Sequence, residues 1–319
     1  MAGHPSFSAS KSHLFKPSVN MAFRILFFAV CASALVMPWN TTYTSSSPTP
    51  SSTSSSASTM DDIHIWGVAV NPPTALPQSA TDNDLRWQPS LDFDTDSCYN
   101  VPAIGLDGTI AQGLPHNWVD LSSDCHDLSD LDNNNVYSRQ RCNDNGWCVY
   151  IYDYYFEKDV ATRYSLDTGH THDWEHIAVW VDPNNTAQYV AASQHGKYQI
   201  KAAADVRWDG EHPKMVYHKD GVLTHCFRFA KEADDTIENA KGVWFRGALV
   251  SYNGFPPDIR DALYAHDFGS ANIALKDSAF PGNIERAKPA AVTFDAYVDA
   301  LGSPGTPVGS WCWFFLFCK

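Results

Sequence analysis

Short runs of aromatic and β-branched residues, separated by turn-forming residues, restrict the fold of this chain more than any other feature. Four runs have the length and composition of strands, at residues 147–156, 174–181, 189–193 and 243–252. Helix patterns are fewer, with a proline-started segment at 259–266 and a second at 294–301. Residues 100–145 are rich in Gly, Asp and Asn, which predicts ordered loops. We therefore expect a mainly β domain, a central β-sandwich surrounded by helices and long loops.

The N-terminal region has the order of a secretory signal, with translation starting at Met21. A basic start at 21–24 precedes an apolar run at 25–36 that contains Ala-Ser-Ala at 32–34. A membrane anchor or a disordered leader remains the alternative. Residues 1–40 form this predicted leader, 41–60 a Ser/Thr/Pro-rich linker, 61–301 the folded domain and 302–319 an unassigned hydrophobic tail.

Charge and cysteine content narrow the functional classes. The chain has 36 acidic and 22 basic residues, a formal charge of −14 that would repel nucleic acid. The same excess argues against simple adsorption to anionic lipid, which needs a basic patch. Eight cysteines indicate an oxidising, extracellular location. Cys31 lies in the predicted signal, so at least one of the other seven is unpaired or paired between chains.

Residues 169–175, Gly-His-Thr-His-Asp-Trp-Glu, are the densest group of potential ligands. Side chains alternate along a strand, so Asp173 and Glu175 should point the same way. Adjacent carboxylates repel unless a cation or proton lies between them. Asp159, at the end of the preceding strand, would add a third carboxylate. Three carboxylates with one or two imidazoles suit calcium, magnesium or manganese better than zinc.

Three other interpretations of these residues stay open. They could be solvated polar side chains at a strand entrance. A zinc hydrolase is a second possibility, but Asp173 directly follows His172 where the HxHxDH pattern has its Asp two places later, and no HExxH helix exists. A glycosidase with Asp173 and Glu175 as its acid pair is the third, because i and i+2 on a strand lie roughly 7 Å apart.

The heptapeptide, with His-Ile-Ala-Val-Trp-Val after it, closely resembles the GHRHDWE signature of the necrosis- and ethylene-inducing-like proteins. These are secreted cytolysins of plant-associated microbes. Further similar segments are Tyr-Tyr-Phe-Glu-Lys-Asp at 154–159, Ala-Ser-Gln-His-Gly at 192–196, His-Pro-Lys at 212–214 and Asp-Phe-Gly-Ser-Ala at 267–271. The resemblance covers residues 61–301 and implies a sandwich similar to actinoporins and fungal lectins.

The resemblance implies a divalent-cation site, holding calcium or magnesium, or alternatively manganese, and no catalytic residue. The residues that match its metal positions are Asp159, His170 (partly through water), Asp173, Glu175 and, less closely, His225. The matching motif and head-group region comprises Gly169, Thr171, His172, Trp174 and His195. The implied disulfides are Cys98–Cys125 and Cys142–Cys148, and we expect Cys226 to be a buried thiol.

The implied function is a monomeric, secreted toxin that binds the sugar head group of plant glycosyl inositol phosphoceramide sphingolipids and disrupts the plasma membrane. Two departures bear on toxicity: Thr171 replaces an arginine of the signature, and residues 219–223 lack a tryptophan often found in toxic members. The first alternative is therefore a non-cytolytic, lectin-like relative that plant immune receptors sense. The second alternative is a secreted metallohydrolase. The sequence therefore leaves three functional hypotheses: a cytolysin, a lectin-like protein and a hydrolase.

Overall fold

The computed structural model describes residues 72–166 and 168–300. The predicted leader, linker and hydrophobic tail lie outside this part of the chain, as do residues 61–71, 167 and 301 of the predicted domain. Within it, every helix is too short or too polar to cross a bilayer.

A six-stranded sheet forms the centre of the described part, in the order β10-β2-β3-β4-β5-β6. Its strands are β2 (Asn135–Cys142), β3 (Cys148–Val160), β4 (Gly169–Val181), β5 (Ala187–Gln194), β6 (Lys197–Ala202) and β10 (Ala248–Ser251). Neighbours pair antiparallel except β10 and β2, which are parallel. The long hairpin β3–β4 is the spine of this sheet, because each of its strands has 13 residues.

A smaller sheet packs against the first and makes the structure a sandwich. It contains β1 (Ser90–Phe93), β7 (Trp208–Asp209), β8 (His212–Lys219) and β9 (His225–Phe229). β8 pairs with all three others, parallel to β1 and antiparallel to β7 and β9.

The helices are α1 (Asp82–Trp87), α2 (Leu128–Asp132), α3 (Pro257–Ala265) and α4 (Phe280–Ala287), with short 3₁₀ turns at Ala203–Asp205 and Glu232–Asp235. Thr81 caps α1, since its hydroxyl accepts a hydrogen bond from the Asp84 amide at 3.1 Å. α3 begins with Pro257, whose missing N–H costs nothing at a helix start.

The alternation of side chains along β3 separates two hydrophobic cores. Tyr152 and Phe156 face the smaller sheet, where they join residues such as Tyr217. Ile151 and Tyr155 face the opposite side, where α3 and α4 supply Leu263, Ile284 and other apolar residues. Both faces of the central sheet are therefore covered, by a sheet on one side and by helices and loops on the other.

The mainly β, actinoporin-like sandwich is confirmed, and the strands predicted at 147–156, 174–181 and 189–193 correspond to β3, β4 and β5. The predicted helix at 259–266 is also present, as α3. The strand predicted at 243–252 is shorter, because only Ala248–Ser251 pairs with β2. The loop prediction for 100–145 is wrong in part, since this segment includes α2 and β2.

The helix predicted from residue 294 is wrong over the described residues. Val292, Phe294 and Ala296 are buried in alternation, which is the pattern of an extended chain. Asn143 explains why, because its side chain accepts from the Asp295 amide and donates to the Asp295 and Val298 carbonyls. These bonds to the turn after β2 take the place of helical ones.

The cysteines behave as the resemblance implied. Cys98 bonds to Cys125 and Cys142 to Cys148, each bridge closing a loop near the sandwich. Cys226 is a free, buried thiol on β9. Removing a bridge from a domain of this kind typically costs a few kcal/mol, about 2–5.

Candidate functional site

Three predicted ligands meet where β3 ends and β4 begins. Asp159, His170 and Asp173 each offer a ligand atom, and these atoms lie within 4.8 Å of one another. Antiparallel pairing brings them together, since Asp159 lies opposite His170 and Phe156 opposite Asp173. The hairpin therefore places residues eleven or more positions apart in the chain around one point.

Asp159 is fixed by His225 on β9. Its carboxylate accepts hydrogen bonds from the His225 backbone amide, at 2.9 and 3.0 Å, and contacts Nδ1 of the ring at 2.6 Å. The other ring nitrogen, Nε2, is 3.2 Å from the Asp96 carbonyl oxygen. Both nitrogens of His225 thus have protein partners, so the geometry places this histidine behind Asp159 as a positioning residue.

Asp173 and Glu175 point to the same side of β4, as strand alternation predicted. The Tyr217 hydroxyl donates to Asp173 at 2.8 Å, and the Ser193 hydroxyl donates to Glu175. Tyr217 also stacks on His225 and on Phe156, which ties the smaller sheet to the site. Nothing in the sequence near the heptapeptide identifies Tyr217 or Ser193 as contributors.

The electrostatics of this cluster suit a cation. Burial, and then the charge of Asp159, raises the pKa of Asp173 to about 6. Burial and the neighbouring Asp173 charge raise the pKa of Glu175 well above its usual range. Within the described residues, no lysine or arginine forms an ion pair with these three carboxylates. A bound divalent cation would offset their repulsion, and a donor set of mainly carboxylate oxygens with one imidazole nitrogen fits a hard ion.

His170 is oriented for ligation by its own strand. Its Nδ1 lies 2.7 Å from the His172 carbonyl oxygen, so Nδ1 carries the proton and Nε2 is left as the acceptor nitrogen. Gly169, next to it, is required by space, because a Cβ there would lie 2.2 Å from the Asp159 carbonyl oxygen.

Thr171 and His172 turn away from the carboxylate cluster. The Thr171 hydroxyl donates to the Leu114 carbonyl at 3.0 Å, and His172 contacts the Tyr155 hydroxyl at 2.7 Å through Nδ1. His172 has a φ of +65°, which interrupts the regular alternation at this point. Thr171 matches the head-group region of the family, and its side chain packs against the 113–116 loop.

A cavity of about 470 Å³ opens in front of the cluster. Its lining includes Asp159, His170, Asp173 and Glu175, together with Trp174 and His195. Further lining comes from Lys197, Asn283 and Arg286, of which the last two belong to α4. The sequence did not identify these three residues, because they come from segments far from the heptapeptide and match no motif.

Apolar side chains are exposed on two turns that each adjoin the carboxylate cluster. Val222 and Leu223 are 86% and 50% exposed on the β8–β9 turn, next to Thr224, which lines the cavity. Trp118, Tyr164 and Leu166 are 58–62% exposed, on or beside the β3–β4 connection.

The family model for necrosis inducing protein (NPP1) matches residues 81–287, which include every member of this site. The chain belongs to that family. A curated relative, NLP effector protein 10 of Phytophthora capsici, is 29% identical over 220 residues, covering 67% of this chain and 85% of the relative.

Solved structures of the family share the fold. NLPPya in complex with mannosamine is 27% identical with a TM-score of 0.56, covering 68% of this chain and 96% of its own. The same coverage, identity and score hold for NLPPya with glucosamine. The non-toxic HaNLP3 protein is 25% identical with a TM-score of 0.57, covering 70% of this chain and 100% of its own.

Proposed function

We propose that this protein is a secreted cytolysin that binds the head group of plant glycosyl inositol phosphoceramide through a divalent cation and then disrupts the plasma membrane. The observation that carries the proposal is a single cavity that is lined both by buried carboxylates and by the cationic Arg286. A glycosylated, phosphate-containing head group presents both sugar hydroxyls and a phosphate. Its recognition therefore needs both a cation-binding carboxylate cluster and a cationic side chain.

Sugar recognition is supported by the carboxylate cluster. A calcium or magnesium ion held by Asp159, His170, Asp173 and Glu175 would supply coordination sites for hydroxyl oxygens. Trp174 adds a donor, because its buried indole N–H has no hydrogen-bond partner among the described residues, and Trp174 lines the cavity. The amino-sugar complexes of NLPPya show that a protein of this fold accepts such ligands.

Phosphate recognition is supported by two cationic side chains that line the same cavity. Arg286 and Lys197 line the cavity, and an arginine fork matches phosphate geometry well. These two cations matter because the chain as a whole carries −14. Affinity for an anionic head group must therefore come from local charge and the bound ion.

Membrane disruption is supported by the exposed apolar residues around the cavity. With the head group bound, Val222 and Leu223 on one side and Trp118 and Tyr164 on another would face the lipid. Aromatic side chains with polar edges favour the bilayer interface. Docking at the head group would thus bring apolar side chains to the membrane surface.

Dye leakage from vesicles tests this proposal. The protein should release dye from vesicles containing glycosyl inositol phosphoceramide when calcium or magnesium is present, and chelation should stop the release. Asp173→Asn should lower leakage at least tenfold, as expected when a metal ligand is lost. Asp258→Asn is the matched control, because it removes an equally charged but exposed carboxylate on α3. Leakage that survives both chelation and Asp173→Asn would refute the proposal.

A non-cytolytic, lectin-like protein sensed by plant receptors is the second candidate. HaNLP3 shows that the fold occurs in a non-toxic protein. In this chain the large apolar side chains exposed on the β8–β9 turn, Val222 and Leu223, are aliphatic and anchor less well than tryptophan. This alternative predicts vesicle binding that depends on the cation, without dye release.

A further inference from the structure

A second group of metal-ligand side chains lies beside the cavity and shares no residue with the carboxylate cluster. The ligand atoms of His195, Asp220 and Cys226 lie within 4.8 Å of one another. His195 Nε2 and Asp220 Oδ2 are already 3.1 Å apart. Neither the heptapeptide nor the proposed head-group site accounts for the carboxylate and the thiol of this group.

Strand alternation on β9 separates the two groups. His225 points towards Asp159, while the next residue, Cys226, points to the other side of the strand. There it lies opposite His218 in the β8–β9 register, and Cys226 Sγ is 3.8 Å from His218 Nε2. A fourth donor atom is therefore in contact with the thiol.

We propose that Cys226, His218, His195 and Asp220 form a zinc site distinct from the hard-cation site. A thiolate with two imidazoles and one carboxylate is a donor set that zinc prefers over calcium or magnesium. On binding, the Cys226 thiol would release its proton to solvent and the sulfur would bind the ion.

Three of the four ligand atoms already lie within 4.8 Å of one another, and His218 contacts one of them, Cys226 Sγ. In a tetrahedral zinc site the ligand atoms lie roughly 3.3–3.8 Å apart, given bonds of about 2.0–2.3 Å. The Cys226–His218 and His195–Asp220 distances of 3.8 and 3.1 Å are close to this. His195 and Asp220 are partly exposed side chains in turns, so they can close the remaining gap.

The protonation states are compatible with this assignment. Burial, followed by the charge of Arg228, lowers the pKa of His218 to about 4, so its imidazole is neutral and able to ligate at pH 7. Burial and nearby carboxylates raise the pKa of the Cys226 thiol, so it stays protonated until a cation offsets those charges.

The site would join two turns at the mouth of the cavity. His195 belongs to the β5–β6 turn, and Asp220 to the β8–β9 turn that carries Val222 and Leu223. A zinc ion between the turns would fix the apolar tip relative to the cavity wall that His195 and Thr224 line. Its expected role is to order this tip rather than to contact the head group.

Cobalt substitution in the purified protein tests the site, because Co²⁺ reports on sulfur ligation. We expect a thiolate-to-cobalt charge-transfer band in the near ultraviolet that added Zn²⁺ removes. Cys226→Ser should abolish the band. Asp220→Asn, a change at a partly exposed side chain that should not disturb folding, should weaken zinc binding at least tenfold in calorimetry.

Asp173→Asn separates this proposal from the proposed function. It should leave the cobalt band in place while it lowers vesicle leakage. Absence of the band in the parent protein, or its survival in Cys226→Ser, would show that Cys226 is only a buried thiol and would overturn the zinc site. Unchanged zinc affinity in Asp220→Asn would remove Asp220 from it.

Discussion

The two halves of the β3–β4 hairpin both bury side chains, but the chemistry of those side chains differs. From Val149 to Val160 every residue of β3 is buried, and so is the second half of β4. The half near the Cys142–Cys148 bridge buries apolar residues, with Trp180 donating to the Ala287 carbonyl at 3.0 Å. The other half buries Asp159, Asp173 and Glu175.

This contrast indicates that one half of the hairpin stabilises the fold and the other half carries the candidate site. Burying apolar surface stabilises the fold, whereas burying carboxylates without cationic partners costs stability. The apolar half therefore holds the charged half in place. Asp153 and His176, paired in register at the middle of the hairpin, mark the boundary between them.

The largest expected effect is on the apolar half. Trp180→Ala should lower the free energy of unfolding by about 3–5 kcal/mol, since it leaves a cavity between the sheet and α4. Urea unfolding at saturating magnesium measures this loss. The protein that remains folded should still need the same magnesium concentration for half-maximal leakage. A large shift in that concentration would show that the two halves are not independent.

A smaller effect is expected when the cation is removed from the charged half. Magnesium or calcium at about one hundred times its dissociation constant should stabilise the protein by about 2.7 kcal/mol over the chelated state. The Asp173→Asn variant should not show this stabilisation by the cation. Without cation the variant should be at least as stable as the parent, because one of the repelling carboxylates is gone. Equal increments in parent and variant would contradict the proposed cation site.

The third effect concerns the boundary between the halves, and its size depends on pH. Burial raises the pKa of Asp153 well above its usual range, and burial lowers that of His176 to about 3, so no charged partner offsets the shift. Folded Asp153 thus keeps a proton that the unfolded chain releases above about pH 4. Its contribution is present below that pH and is lost as the pH rises towards the folded pKa.

Comparison with Asp153→Asn isolates this contribution. Relative to the variant, the parent should lose up to about 1.4 kcal/mol per pH unit above pH 4. Unfolding should be measured at saturating magnesium, which keeps the charge of the carboxylate cluster constant. Parallel stability profiles for the two proteins would show that Asp153 does not titrate on unfolding.

The sequence by itself determined the class of fold and the centre of the site. The near-continuous aromatic and β-branched runs at 147–156 and 174–181 are typical of strands that are buried on both faces. β3 and β4 are such strands, because the central sheet is covered on each side. The 169–175 string placed Asp173 and Glu175 on one face, because a strand repeats every two residues. Local periodicity is sufficient for such conclusions.

Only the tertiary structure decided which distant residues complete the site. Tyr217 and Ser193 hydrogen-bond to the carboxylates, Arg286 lines the same cavity, and Cys226 contacts His218, yet no local pattern connects these positions. In residues 294–300 the local pattern predicted a helix, but hydrogen bonds with the Asn143 side chain hold the chain in an extended conformation. Contacts between residues far apart in the chain depend on how sheets and helices pack, and a single sequence records only the period of each segment.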